Sequence, residues 1–151
     1  VVVLAAGLAL ALVGAEENQI ESSVIERFST DHNFRIIIPV SEYYIMNSIS
    51  GKGKWFLSSL EKLSGEGLYY FMGYFSEYFS RFPDEGKELA VERLLTLMEK
   101  DSKSFIRRGA FQAMLSFADE KDVVEKLNGI AAKETDESLK NYYNYYLETL
   151  N

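Results

Sequence analysis

Shifted by 35 residues, this 151-residue sequence lines up with itself without a gap, and that period sets what the chain can fold into. Asp31, Glu66, Asp101 and Asp136 fall in one column, each closing a polar or glycine-containing stretch: RFSTD, KLSGE, MEKD and KETD. Upstream of them, Ile25, Leu60, Leu95 and Ile130 form a second column. Downstream, Ile36, Phe71 and Ile106 align, then Val40, Phe75 and Ala110, then Tyr44, Phe79 and Met114. Apolar columns four residues apart trace one stripe of a helix. Each unit therefore reads as a first helix, a short acidic turn and a second helix. The predicted fold is all-α: a right-handed α-solenoid of about four and a half two-helix units, one helical-repeat domain over 1–151. Its repeats are 19–53, 54–88, 89–123 and 124–151.

Carried backwards, the register places 1–14 (VVVLAAGLALALVG) on the second helix of a truncated unit whose first helix precedes Val1. A signal peptide is the rival reading, since the run ends in the small residues Val13, Gly14 and Ala15. The repeat alignment, the lack of an initiator Met and the lack of a basic leader favour the buried helix. The run is too short for a bilayer, which takes about 20 residues, so no membrane span is expected. Gly51 and Gly86 share a column between units and are predicted to adopt positive φ at helix boundaries. Pro83 stops the helix before it. Pro39 implies that its helix either starts near residue 38 or is kinked there.

A net charge of -7, with Arg107-Arg108 as the only dense basic group, argues against a nucleic-acid partner. The absence of cysteine excludes disulfides and thiolate metal sites, and leaves both cytoplasmic and exported settings open. A single histidine, His32, rules out a two-histidine metal site within the chain, and it reads as a solvated turn residue beside Asp31. No catalytic or metal-ligating residue is assigned. The acidic column reads as helix N-caps. Arg107 is expected to pair with Asp101 or Asp136 across units. In the aromatic unit, Phe71, Phe75, Tyr78, Phe79 and Phe82 are read as core. The C-terminal tyrosines Tyr142, Tyr143, Tyr145 and Tyr146 are read as a cap, with Lys133 replacing the apolar residue of the Phe28, Leu63 and Met98 column.

Residues off the core stripe of the second helices are expected on the inner face, where a solenoid binds its partners. The columns give Ile38, Arg108 and Tyr143 with Gly73, then Tyr74 beside Pro39, then Glu42, Glu77 and Gln112, with Tyr70 next to them. Aromatic anchors, carboxylates and one Arg for an anionic group suit a short peptide or a protein partner.

Residues 87–121, and IRRGAFQAML within them, resemble a HEAT-type repeat, in which an apolar residue and an Arg precede small residues that let neighbouring helices approach. HNFRIIIPVSEYYI keeps the Arg, and LYYFMGYFSEYF replaces it with aromatics. The Trp, Gly, Ala and Pro signposts of tetratricopeptide repeats are missing. The terminal unit AAKETDESLKNYYNYYLETLN resembles the C-terminal helical domain of gluzincin aminopeptidases, the relatives of aminopeptidase N and leukotriene hydrolase. That resemblance implies a domain without a cofactor of its own, closing over a zinc site held by a preceding catalytic domain and contacting peptide there. The HExxH zinc signature is not in this sequence. The alternatives are a free-standing HEAT-type interaction scaffold and a secreted helical protein behind a signal peptide.

Overall fold

The structure, a computed structural model, describes residues 33–150. The readings of 1–14, of Asp31 and of His32 lie outside the described residues. Within them the chain is all-helical. The helices are α1 (Phe34–Met46), α2 (Gly53–Lys62), α3 (Gly65–Arg81), α4 (Lys87–Lys100), α5 (Ser104–Met114), α6 (Lys121–Lys133) and α7 (Glu137–Leu150), with 3-10 turns at Pro83–Glu85 and Leu115–Phe117. Consecutive helices pair as α2 with α3, α4 with α5 and α6 with α7. Helices α1, α3, α5 and α7 then pack on one another in succession, and α4 packs on α6.

The apolar columns explain this packing. Ile36, Phe71 and Ile106, Val40, Phe75 and Ala110, and Tyr44, Phe79 and Met114 are each no more than 2% exposed. Burying the larger of these side chains stabilises by about 1.5–3 kcal/mol each, so three matched columns hold α1, α3 and α5 together. At the centre Phe56 of α2 stacks on Tyr78 at 4.2 Å and on Phe71 at 5.8 Å, while Trp55 meets Tyr44 edge-on at 5.2 Å. The small residue of the IRRGAF segment does what helix approach requires: a Cβ on Gly109 would lie 2.7 Å from Met72 Cε and 2.8 Å from the Tyr69 ring. Gly51 and Gly86 have φ of 79° and 120°, the left-handed conformations their column predicts. Helix α1 runs through Pro39 and begins at Phe34, earlier than residue 38, with the Asn33 side chain accepting the Arg35 N–H at 3.0 Å. So early in the helix the proline leaves only the Arg35 carbonyl without its usual donor, on an exposed residue that water reaches.

The last unit corrects the register. The buried residues of α7 are Leu139, Tyr143 and Leu147, which stand 33 residues after Ile106, Ala110 and Met114. In α6 Val123, Leu127 and Ala131 follow Ala90, Leu94 and Met98 at the same spacing. The terminal pair is therefore two residues out of step with a period of 35. Tyr143 falls on the buried stripe, and Ala131, not Lys133, continues the Met98 column. Lys133 is exposed and reaches Glu99 at 3.6 Å.

The same slip relocates the acidic column. Glu134 now corresponds to Asp101. Asp101 Oδ1 accepts the Lys103 N–H at 2.9 Å, and Glu134 Oε1 accepts the N–H groups of Thr135 and Asp136, each at 3.0 Å, so both acids fold the turn between paired helices. Helix capping proper is seen at Asp136, whose Oδ1 accepts the Leu139 N–H at 3.0 Å. Glu66 lies in the first turn of α3, where a carboxylate suits the helix dipole, two residues after the N-cap Ser64, whose side chain makes no cap bond. Arg107 pairs with Glu134 instead of Asp101 or Asp136: Nε and Nη2 each donate to one carboxylate oxygen at 2.9 Å, and Nη1 donates to the Asp101 carbonyl at 2.9 Å.

Candidate functional site: a groove between α3 and α5

Off the buried stripes, α3 and α5 turn a second face outward. Between them lies a groove of about 560 Å³, lined from α3 by Tyr69, Tyr70, Gly73, Ser76, Glu77, Ser80 and Arg81, and from α5 by Gly109, Gln112 and Ala113 together with Ser116. Close helix approach at Gly109 makes its floor. Its depth comes from Gly73, because a Cβ there would meet no atom within 4 Å. Most of the walls are held in place. Arg81 bonds Glu77 at 2.7 Å and the Ile45 carbonyl at 2.8 Å, the Tyr69 hydroxyl donates to Gln112 Oε1 at 3.4 Å, and Gln112 Nε2 donates to the Tyr142 hydroxyl at 2.8 Å. A second recess of about 320 Å³ opens beside the groove and is bounded by Glu66, Tyr69, Tyr70, Phe105 and Arg108.

The structure treats the residues proposed from sequence unequally. Tyr70, Glu77 and Gln112 line the groove, and Tyr70 and Arg108 line the recess. Arg108 is exposed, with its guanidinium 4.4 Å above the Tyr142 ring, a cation–π contact that aims it towards α7. Tyr74, Glu42 and Ile38 lie on the α1 side and line neither cavity. Burial, together with the charges of Glu42 and Glu77, pushes the Tyr74 hydroxyl pKa up, so Tyr74 stays a neutral phenol. Ile38 is half-buried against the core. Tyr143 leaves the site altogether: it is 0% exposed and 4.5 Å from Phe111, and at the spacing of 33 the exposed Asn141 takes the surface position that a period of 35 assigns to it. Its hydroxyl is buried without a hydrogen-bond partner, and burial, with Glu134 next, pushes its pKa up.

Two residues lining the site escape the sequence reading. Tyr69 packs against Gly109 and still shows an edge to both cavities. Phe105 is 42% exposed at the start of α5. Its signal was in the repeat, because Arg35, Tyr70 and Phe105 share a column and the latter two meet in one recess. Tyr142, read from the sequence as part of the cap, lines neither cavity and reaches the site only through Gln112 and Arg108.

A structural network also lies outside the columns. Glu85 accepts the N–H groups of Gly51 at 2.6 Å and Gly53 at 3.0 Å, and the Tyr78 hydroxyl at 2.6 Å, tying the α1–α2 connection to the end of α3. Burial alone would raise the Glu85 pKa, but these donors outweigh it and hold the carboxyl below its usual range.

Among the described residues no group of three His, Cys, Asp or Glu stands where it could hold a metal ion, and no helix is long and apolar enough to cross a membrane. Comparison with family models, with curated proteins and with solved structures gives no match. The reading of the groove therefore rests on its own geometry.

Proposed function

We propose that the chain is a HEAT-type, right-handed helical-repeat domain of about four and a half units that binds a peptide segment of a partner protein in the groove between α3 and α5. Gly73 carries the reading. A glycine inside an exposed helix costs about 0.5–1 kcal/mol relative to alanine, and this one has negative-φ helical backbone and touches nothing that a side chain would displace. What its missing side chain does is keep the groove open. The walls suit a peptide: an aromatic rim at Tyr70, the amide of Gln112 for backbone groups, and the Glu77–Arg81 pair at one end. The groove serves both the interaction-scaffold reading and the aminopeptidase-domain reading, since in each of them this chain contacts peptide.

The test is selection of a random peptide library on the full chain, followed by rebinding to the Gly73→Leu variant. Leu is the better helix former, so the variant should melt no lower than wild type. Enriched peptides should bind it at least about tenfold more weakly, the loss of roughly 1.4 kcal/mol of contact. No enrichment, or peptides indifferent to the substitution, would overturn the proposal.

A further inference from the structure

We infer that the recess beside the groove is a subsite for a basic side chain, so that the peptide bound by this domain carries a lysine or arginine there; the inference rests on the peptide-binding reading of the groove. Three rings enclose the recess at steep mutual angles. Tyr69 and Tyr70 have centroids 5.4 Å apart at 78°, and Tyr69 and Phe105 are 6.2 Å apart at 56°. Rings so arranged present faces and edges to one small volume, and a ring face attracts a cation through its quadrupole. Tyr70 and Phe105 are 59% and 42% exposed, so their outer parts contribute little to the core they border. Tyr69 is the fixed wall, held between Gly109 and Gln112.

Of the charges at the recess, Glu66 agrees with the rings, whereas Arg108 and Lys103 compete with an incoming cation. Glu66 closes the recess from the first turn of α3 and has no ion-pair partner among the described residues. The protein's own Lys103 places Nζ 5.9 Å from the Phe105 centroid, so one of these rings already draws a cation. Arg108, on the opposite wall, is drawn towards Tyr142, away from Glu66. It still repels an incoming cation at the range of the recess, and this gives the inference a sign that a generic sticky patch lacks. Removing Arg108 strengthens binding of a basic side chain, whereas it abolishes binding of an acidic one. The chain's net charge of -7 favours approach of a basic segment over any distance.

The experiment titrates the full chain with N-acetyl-arginine amide, N-acetyl-norleucine amide and N-acetyl-glutamate amide, following the amide resonances of Tyr70 and Phe105. The arginine probe should shift both and saturate, with the norleucine probe roughly tenfold weaker. Glu66→Gln should weaken the arginine probe severalfold and Arg108→Gln should strengthen it. Equal binding of arginine and norleucine would make the recess merely apolar and overturn the inference. So would preference for the glutamate probe with loss of binding in Arg108→Gln, or no shift with any probe. Library peptides that depend on Gly73 but show no basic residue would sink the inference and leave the groove reading standing. A library without enrichment would remove both.

Discussion

Replacing Glu134 by alanine tests how neighbouring units are locked together. The carboxylate is 5% exposed and the Arg107 side chain 14%, and the pair is bidentate with both N–H···O distances at 2.9 Å. Glu134→Ala leaves a guanidinium in a largely dry site with only the Asp101 carbonyl, and it also frees the Thr135 and Asp136 amides. Removing one partner of such a pair costs about 3–5 kcal/mol, a large part of the stability of a domain this size. Arg107→Ala should cost less, because the Glu134 carboxylate keeps its two backbone donors. Urea unfolding of the two single variants and the double variant measures the difference, and the double should lose less than the sum of the singles. The pH dependence follows from the same contacts. Burial raises the Glu134 pKa, but the Arg107 bonds and the turn amides outweigh it and hold the carboxyl below its usual range. A depressed folded-state pKa stabilises above the unfolded value, about 4.3, and that stability is lost as pH falls through the folded value. Wild type should therefore lose its advantage over Glu134→Gln in acid and keep it near neutrality. A cost below about 1 kcal/mol for Glu134→Ala, additive single variants, or a gap to Glu134→Gln that is unchanged in acid would refute the reasoning.

Tyr143→Phe should leave the melting temperature unchanged or raise it, since the buried hydroxyl it removes has no partner; a loss of more than about 1 kcal/mol would mean that the hydroxyl is satisfied after all. Glu85→Ala should cost about 2–3 kcal/mol, because it removes charge-assisted acceptance from two amides and a tyrosine, and hydrogen exchange at Gly51 and Gly53 should quicken selectively. Exchange rates unchanged at those two glycines would show that Glu85 does not hold the connection.

The core was legible because a repeat states it several times over. Ile36, Phe71 and Ile106 occupy one column, and an error in reading one of them would be corrected by the other two. The end of the chain lacks that redundancy. A unit two residues out of step with its predecessor still offers an acid near the expected place, since Asp136 follows Glu134 so closely, and the eye continues at 35. The consequence is specific: Arg107 is assigned the wrong carboxylate, and Tyr143 is placed on the surface instead of Asn141. Glu85 was illegible for a different reason. Two of its three partners are backbone N–H groups more than thirty residues away, and backbone groups carry no sequence signal.

The binding face is harder still, because it consists of the positions that the repeat does not dictate. Gly73 and Gly109 make the point. Both stand in mid-helix, and a sequence pattern treats them as the same residue. Gly109 is required by packing, since Met72 and Tyr69 fill the space its side chain would take. Gly73 faces empty space, as does Gly129 on α6, which lines none of the cavities of this face. Substituting alanine at 73 or at 129 should therefore stabilise the fold by about the same amount, near 1 kcal/mol, while only the substitution at 73 narrows the groove. Folding energy alone gives no reason for a glycine at either position. Of the two, position 73 is the one where binding supplies the reason, because there an added side chain would occupy the volume in which a peptide would lie.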